Sequence, residues 1–544
     1  MRPKHYLVIL SMVMLLFGCS EQAKVKKPEE QNKPPLRLNS TIGNLCNLYA
    51  PDGIAVEGFG LVANLNGNGS SECPTRVREY MIKYIQQMLG DANRLEAMRM
   101  LRDEDNAVVR VYGYVPAGAR RGRKFDLFVE ALPSTQTTSL KGGSLYTCNL
   151  TSRSRLGVEG AKILAKGKGP VFINFAGKDK PNLRKGYVIG GGKFQESNRL
   201  YIELKRPNYR LAAVIRNRIN ERFGEKTAKA RSSQIVDLNL PNSYKQNYSK
   251  FANLVEALYL YENNSSLQSR IKILAKNLTE PRNPDIEYGL EAIGKPAVKT
   301  LVPYLKHEKP LVRLRAARCL VNMGYADAGS VLVKLAKMNP SPYKYEAIEA
   351  IGESSASATV KSLLREFLSD DDFQARLLAY KYLSEASDLA VMPKLTSAGF
   401  RIDTMLAKES EPLIYIKRKD QPRIALFGIN IPLGQNVFLS LDKGNLLLDN
   451  PAGKDQIMML RQHPDQKGVI GPIYADFNVE SLISRLCDKT VKSSGVRSGL
   501  GLDFTEVVRV LNELDKKGAI KSKLMLGPLP DMPERANTIE KLNE

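Results

Sequence analysis

The chain has 544 residues, and 81 Lys and Arg against 57 Asp and Glu give it a formal net charge of +24. With 43% apolar and 25% charged residues, the composition excludes disorder and disulfide-scaffold classes for the bulk of the chain. At roughly 100–200 residues per domain, about three or four domains are expected. The only histidines are His5, His307 and His463, which leaves little material for a metal site or a hydrolytic triad.

The leader predicts export. Residues 1–19 combine a basic start, an apolar run at 6–17 and a closing Gly-Cys pair, and that run is shorter than the ~20 residues of a membrane-spanning helix. The stretch 16–19 (LFGC) resembles a bacterial lipobox, in which the thiol of Cys19 is acylated, and Ser20 resembles the pattern of lipoproteins released to the outer membrane. The alternative is an ordinary signal peptide that ends near a cysteine. Export argues against a nucleic-acid partner and makes anionic lipid or peptidoglycan the relevant polyanion.

The cysteine pattern leaves disulfide pairing open. An oxidising periplasm permits a bridge, but an odd number of thiols remains after Cys19, so at least one is free. No CxxC and no neighbouring histidine provides zinc-ligand spacing, and we expect no cofactor or metal. The remaining cysteines are Cys46, Cys73, Cys148, Cys319 and Cys487.

The region from 41 to 260 has a mixed α and β pattern. Hydrophobic alternation and turn residues predict strands at 58–68, 107–115, 125–132, 187–189 and 200–204. Helical spacing of apolar residues predicts helices at 76–89 and 208–223.

From 264 to 400 the pattern becomes continuously helical and repeats itself. Gly294, Gly324 and Gly352 close successive helices about every 30 residues, and the phrases between them are similar. This segment resembles short HEAT-like repeats, whose helix pairs must stack to bury their apolar faces; an unrelated helical bundle is the alternative. The residues expected to stack are Ala317, Leu320, Ile348, Ile351, Leu378 and Leu383.

After 401 strands return, followed by one amphipathic helix. Strands are predicted at 413–417, 424–427, 437–441 and 446–448, and a helix at 503–516 with Asp503 as its cap.

No motif predicts catalysis. The glycine-rich stretch 186–194 lacks the Ser or Thr of a phosphate loop and is expected to be an irregular turn before a strand, and Asp370 to Asp372 lack EF-hand spacing and suit a helix N-cap. We therefore predict that the chain is not an enzyme. A basic surface is expected around Arg120, Arg121, Arg123 and Lys124 and across 162–185. It is either a solvated face or a contact for anionic peptidoglycan or neighbouring subunits.

Six stretches in colinear order resemble the bacterial flagellar P-ring protein family. The first, VEGFGLVANLNGNG (56–69), is similar to that family's N-terminal signature. The others are similar to its later strands, to two helices and to its closing helix; they lie at 107–150, 163–174, 204–224, 236–258 and 502–526. The family motif carries over to Gly58, Gly60, Leu61, Asn66, Gly67, Gly69, Gly142 and Gly143.

The motif glycines permit positive φ or close packing in and after a strand, and the functional alternative is that these turns also shape a subunit contact. The resemblance implies a structural subunit that forms a ring homo-oligomer in the periplasmic part of the flagellar basal body, beside the rod or other basal-body proteins, and supports motility. A lipid at Cys19 would add membrane attachment. The alternative is an outer-membrane-anchored envelope scaffold that binds a protein partner through its repeats.

The expected fold class is α+β: a P-ring-like mixed domain, an inserted all-α HEAT-like solenoid and a strand-rich C-terminal region. The two P-ring-like parts are expected to fold as one unit from which the repeats project. The predicted ranges are a signal peptide (1–18), a tether (19–39), the P-ring-like domain (40–260), the solenoid (261–400), the strand-rich region (401–494) and the P-ring-like C-terminal helix and tail (495–544).

Overall fold

The computed structural model describes residues 41–531 apart from short stretches. These are 50–51, 91–92, 134, 153–160, 178–179, 197–199, 245–246, 261–263, 280–283, 355–357, 408–409, 435–436, 451–454, 463–467 and 490–496. The Cys19 prediction therefore lies outside the described residues. None of the helices in the described part is long and apolar enough to cross a membrane.

The N-terminal part is built around a closed antiparallel barrel. Helix α1 (Ile42–Leu45) and strand β1 (Cys46–Tyr49) come first, and helices α2 (Thr75–Leu89) and α3 (Arg94–Arg102) lie between the first two barrel strands. Pairing runs in the order β2-β3-β4-β7-β6-β5, and β5 closes back on β2. The barrel strands are β2 (Ile54–Ala63), β3 (Ala107–Val115), β4 (Lys124–Ala131), β5 (Ser144–Ser152), β6 (Ala165–Pro170) and β7 (Lys185–Phe194).

A second sheet follows the barrel and is covered on one face by helices. Its strand order is β1-β8-β10-β9, and the apolar faces of α4 and α5 pack on it. Helix α4 begins where the Asn208 side chain accepts a hydrogen bond from Leu211 N at 3.0 Å, and it ends at Gly224, whose φ is +104°. The elements are β8 (Leu200–Leu204), α4 (Tyr209–Phe223), β9 (Ala228–Ala230), β10 (Ile235–Leu238) and α5 (Tyr248–Glu256).

The repeat region forms one continuous apolar core from stacked helices. Five of the six residues expected to stack are fully buried, and the sixth, Leu378, is partly buried and packs against the same core. The buried stripe of the last helix runs through Ala375, Ala379 and Leu383, and Leu378 lies beside it. The helices are α6 (Asn264–Lys276), α7 (Pro284–Ile293), α8 (Val298–Leu301), α9 (Pro310–Asn322), α10 (Ala328–Ala336), α11 (Lys344–Gly352), α12 (Ala358–Ser362) and α13 (Phe373–Glu385).

The described residues of the C-terminal part form two further sheets and two helices. The strand orders are β11-β12-β14-β13-β19 and β15-β16-β17-β18. The elements are β11 (Val391–Leu395), β12 (Arg401–Met405), β13 (Leu413–Lys417), β14 (Arg423–Phe427), β15 (Phe438–Leu441), β16 (Leu446–Asp449), β17 (Gln456–Gln462), β18 (Val469–Asp476), α14 (Val479–Cys487), α15 (Phe504–Lys516) and β19 (Lys523–Leu526).

The five-stranded sheet lies between the repeats and the C-terminal helices. Met405 and Phe427 on one face belong to the apolar core of the repeats, whereas Ile402 and Leu426 on the other face pack with α14 and α15. The repeats therefore do not project from the rest of the molecule as the sequence predicts. The continuous apolar run Ile424 to Phe427 of β14 puts apolar residues on both faces, as is typical of a strand that is covered on both sides.

Two local predictions also change. The helical stretch ends at Glu385, and β11 (391–395) already pairs with β12. The stretch 186–194 is not a turn before a strand but lies within strand β7, where Gly190 (φ +62°) sits at a register shift against β4. A positive φ inside a strand is typical of a bulge, which the glycine makes sterically accessible.

Candidate functional site

The motif turn after β2 is tied to the loop before β3. Asn66 and Gly67 have φ values of 48° and 76°, and Gly67 N donates to Asp105 Oδ1 at 2.6 Å. A Cβ on Gly69 would lie 2.1 Å from the carbonyl oxygen of Asn106. Only glycine fits at that point, while Asn66 and Gly67 remain exposed at the tip of the turn.

The glycines on β2 itself allow close packing inside the barrel. A Cβ on Gly58 would lie 2.2 Å from Asn149 O of the paired strand β5, and one on Gly60 would lie 2.7 Å from Leu145 Cδ1. Leu61 points the other way and is buried with α2 and α3. Alternation along β2 thus explains why glycine and leucine occupy neighbouring motif positions.

The second motif turn packs on the first motif strand. Gly142 has φ +74° with open space beside it, whereas a Cβ on Gly143 would lie 2.5 Å from Val62 Cγ1 and 2.6 Å from Leu65 Cδ2. The structure therefore brings two sequence-distant motif stretches together at one end of the barrel. Turn conformation and close packing explain why glycine occupies these motif positions.

The C-terminal helix α15 returns to the barrel. Thr505 Oγ1 donates to Val171 O at 3.4 Å, and the rings of Phe504 and Phe172 lie 5.6 Å apart. Phe172 belongs to the same apolar cluster as α15, although it lies next to the barrel strands in sequence. The contact that the sequence predicts between the two P-ring-like parts is present.

A charged junction reinforces this contact. Lys141, in the second motif turn, donates to Asp442 Oδ2 at 3.0 Å, and Arg509 of α15 donates to Asp442 Oδ1 at 2.8 Å. The Arg509 guanidinium also lies 4.9 Å from the centre of the Phe175 ring. Burial raises the pKa of Asp442, but the hydrogen bonds from Arg509 and Lys141 outweigh it, so the pKa lies below its usual range.

A second junction joins β4 to the five-stranded sheet. Asp126 accepts hydrogen bonds from Gly190 N at 2.6 Å and Asp420 N at 2.8 Å, and burial raises its pKa. Arg418 donates to Asn174 Oδ1 at 2.9 Å. Sequence reasoning missed this junction because the partners that join the two parts are 294 and 244 positions apart and carry no local motif.

Part of the predicted basic surface has structural partners. Arg120 donates to Leu240 O, and Lys185 pairs with Glu130 at 2.7 Å. Arg184 donates to three carbonyl oxygens, those of Leu132, Thr135 and Thr137. Arg120 and Arg184 thus hold loop carbonyls in place, and Lys185 links two neighbouring barrel strands while staying partly exposed.

The thiols are sequestered. Cys46, Cys73, Cys148, Cys319 and Cys487 are all free and buried. Burial raises the pKa of Cys46, Cys73 and Cys487 to about 11 and that of Cys148 to about 12. A thiol in such surroundings is a weak nucleophile.

The acidic run Asp370 to Asp372 lies at the start of helix α13, where it has a structural role. Within the described residues no group of three or more His, Cys, Asp or Glu is arranged to hold a metal ion. Asp372 caps α13 by accepting from Gln374 N at 2.9 Å, and Asp370 accepts from Lys344 at 2.7 Å.

The architecture is that of a barrel-bearing α+β protein with an inserted stack of helical repeats. Residues 42–275 match the model of the flagellar P-ring protein family, and residues 287–352 match that of HEAT repeats. Both resemblances found in the sequence are thus confirmed.

Curated relatives agree with the family match. The flagellar P-ring protein of Helicobacter pylori (strain G27) is 24% identical over 273 residues, which is 48% of this chain and 71% of the relative. That of Campylobacter lari (strain RM2100) is 28% identical over 217 residues, covering 38% and 59%, respectively. The flagellar P-ring protein of Pseudothermotoga lettingae is 26% identical over 214 residues, covering 37% and 60%.

Proposed function

We propose that the chain is a structural subunit of a flagellar basal-body P-ring-like assembly that supports motility. The observation that carries this proposal is the family match over residues 42–275, a range that contains the whole barrel and its motif turns. The return of α15 to the barrel supports it, since the last family-like stretch then completes the same folded unit. The role is mechanical and requires no catalytic residue.

The proposed location is the periplasm. Residues 1–18 act as the signal peptide and 19–39 as a tether, with a lipid on Cys19 that holds the chain at the outer membrane. Partners are further copies of the chain and the rod or other basal-body proteins, with peptidoglycan as an anionic surface nearby.

Deletion of the gene in its own bacterium tests the function. We expect swimming to be lost and negative-stain images of purified basal bodies to lack a ring, with both restored by the full chain. A deletion strain that swims normally and keeps every basal-body ring would refute the proposal. The assembly would then have no need of this chain.

The anchor has a separate test. Cys19→Ala should abolish labelling by a palmitate analogue and release the chain to the soluble fraction, while Cys487→Ala, which removes a buried thiol elsewhere, should leave labelling unchanged. Persistent labelling and membrane fractionation of Cys19→Ala would contradict the lipid anchor.

A further inference from the structure

Three lysines lie side by side on the outer surface of the barrel. The strand register pairs Lys124 of β4 with Lys193 of β7, and Lys193 with Lys166 of β6. All three are exposed, and their ammonium groups have no ion pair within the part of the chain that the structure describes. We call this row the lysine ladder. Like charges directly opposite each other destabilise a sheet. The lysine ladder therefore lowers the stability of an isolated chain unless anionic groups lie against it.

An opposite surface lies on the repeats. Glu346 and Glu349 stand one turn apart on α11, both exposed and both without an ion pair among the described residues. They line a cavity of about 220 Å³ that is bordered by α5, α7, α9 and α11. Burial raises the pKa of Glu349, and the nearby carboxylate of Glu353 adds to this effect. We call this surface the glutamate face.

The floor of the cavity contains an unsatisfied acceptor. Glu291 is only 4% exposed and lines the cavity, and its Oε1 accepts no hydrogen bond. Its Oε2 accepts from Asn322 at 3.0 Å, while Oε1 has only a long ion pair with the Lys250 ammonium, which lies 3.6 Å away. A buried carboxylate oxygen without a donor is costly, and an incoming ammonium, with three N–H donors, supplies what is missing.

We propose that the lysine ladder of one copy docks on the glutamate face of the next copy. This inference rests on the proposed ring function and names the contact that would build the ring. Two different patches of one chain that complement each other make a heterologous, head-to-tail contact, which closes into a ring when the rotation permits. Charge complementarity is the argument for a second copy. Each chain presents an exposed cationic row and a cavity whose lining contains five glutamates against the two cations Lys250 and Arg318.

Reciprocal charge reversal tests the contact in the full chain. We expect Lys193→Glu and Glu349→Lys each to weaken self-association by more than about tenfold, since like charges then face each other. The double variant Lys193→Glu/Glu349→Lys should recover association, because the two charges are exchanged. Sedimentation velocity gives the association constants, and added salt should weaken wild-type association. Lys166→Glu repeats the test from a second strand.

Matched controls are Lys229→Glu and Glu308→Lys, which reverse exposed charges outside both surfaces. Circular dichroism checks that every variant keeps its fold. Association that is unchanged in Lys193→Glu and Glu349→Lys would overturn the inference and leave the ring function intact. A wild-type chain that stays monomeric would also overturn it, and the basal-body images decide the ring function independently. If lysine reversal reduces co-sedimentation with peptidoglycan sacculi but not self-association, the ladder binds an anionic polymer and the inference fails.

Discussion

The barrel and the repeats are stabilised in different ways. In the barrel, backbone approaches within contact distance at glycines, as where Gly58 faces Asn149 O and Gly69 faces Asn106 O. In the repeats, fully buried aliphatic side chains such as Leu320, Ile348 and Ile351 interlock between helices. Substitutions that add side-chain volume should therefore destabilise the barrel most, and substitutions that remove side-chain volume should destabilise the repeats most.

The two regions also differ in how they join the C-terminal part. The repeats join it through Asp403, which is fully buried and accepts from Tyr380 of α13 at 2.6 Å. One of the two junctions of the barrel runs through Asp442, whose side chain is 37% exposed. A buried carboxylate depends strongly on its partners, whereas an exposed one is screened by water.

The largest effect is expected at the junction of the repeats. Asp403→Ala should destabilise the full chain by about 3–5 kcal/mol, because it leaves the guanidinium of Arg423 without its buried carboxylate partner at 3.2 Å. Urea denaturation measures the loss. Asp403→Asn, which keeps the side-chain volume and one acceptor oxygen, should lose less. If both variants lost equally little stability, the junction at Asp403 would contribute no more than the partly exposed junction at Asp442.

Within the repeats, Leu320→Ala should cost about 2–5 kcal/mol, since Leu320 is fully buried and its removal leaves a cavity. Leu378→Ala is the matched control, because Leu378 is only partly buried and should cost clearly less. Denaturation of the two variants under the same conditions gives the comparison. A loss below about 0.5 kcal/mol for Leu320→Ala would contradict its place in the core.

Within the barrel, Gly58→Ala should cost about 1–3 kcal/mol or more, since the new Cβ would meet a backbone oxygen that cannot move aside. Gly142→Ala should cost less, because its Cβ meets open space and only the positive φ is strained. Thermal unfolding, monitored by circular dichroism, compares the stability of the two variants. The reverse order would show that backbone conformation, not packing, limits these motif positions.

Local patterns predicted much of the secondary structure. The helix predicted at 208–223 appears at Tyr209–Phe223, and the strand at 107–115 appears at Ala107–Val115. These elements have caps, turns or alternation within a few residues. By contrast, α14 (Val479–Cys487) was not predicted, although its buried residues Val479, Leu482, Ile483 and Leu486 have helical spacing and Asn478 caps its start.

The site was predictable only in part. The motif glycines were found through the resemblance to the P-ring family, and the inward packing of Gly58 and Gly60 follows from strand alternation. The junctions could not be found, because Lys141 and Asp442 are 301 residues apart and Asp126 and Asp420 are 294 apart. The first is an ion pair and the second a hydrogen bond from the Asp420 N–H to the Asp126 carboxylate. Contacts at such separations depend on the order of strands in three dimensions, which no single sequence pattern encodes.

The smallest effect is expected at the junction of the barrel, and it depends on pH. Arg509 and Lys141 hold the pKa of Asp442 below its usual range, so the pair stabilises the fold above the unfolded-state pKa of about 4 and loses this contribution as the pH falls through the folded value. Because the carboxylate is partly exposed, Asp442→Asn should cost less than about 1 kcal/mol at pH 7. The difference from wild type should shrink as the pH falls below about 4, and it should also shrink in high salt. Asp371→Asn, at an exposed position, should show no difference at either pH. A loss for Asp442→Asn that is equal at pH 7 and pH 3 would show that shape, not charge, holds the C-terminal helix to the barrel.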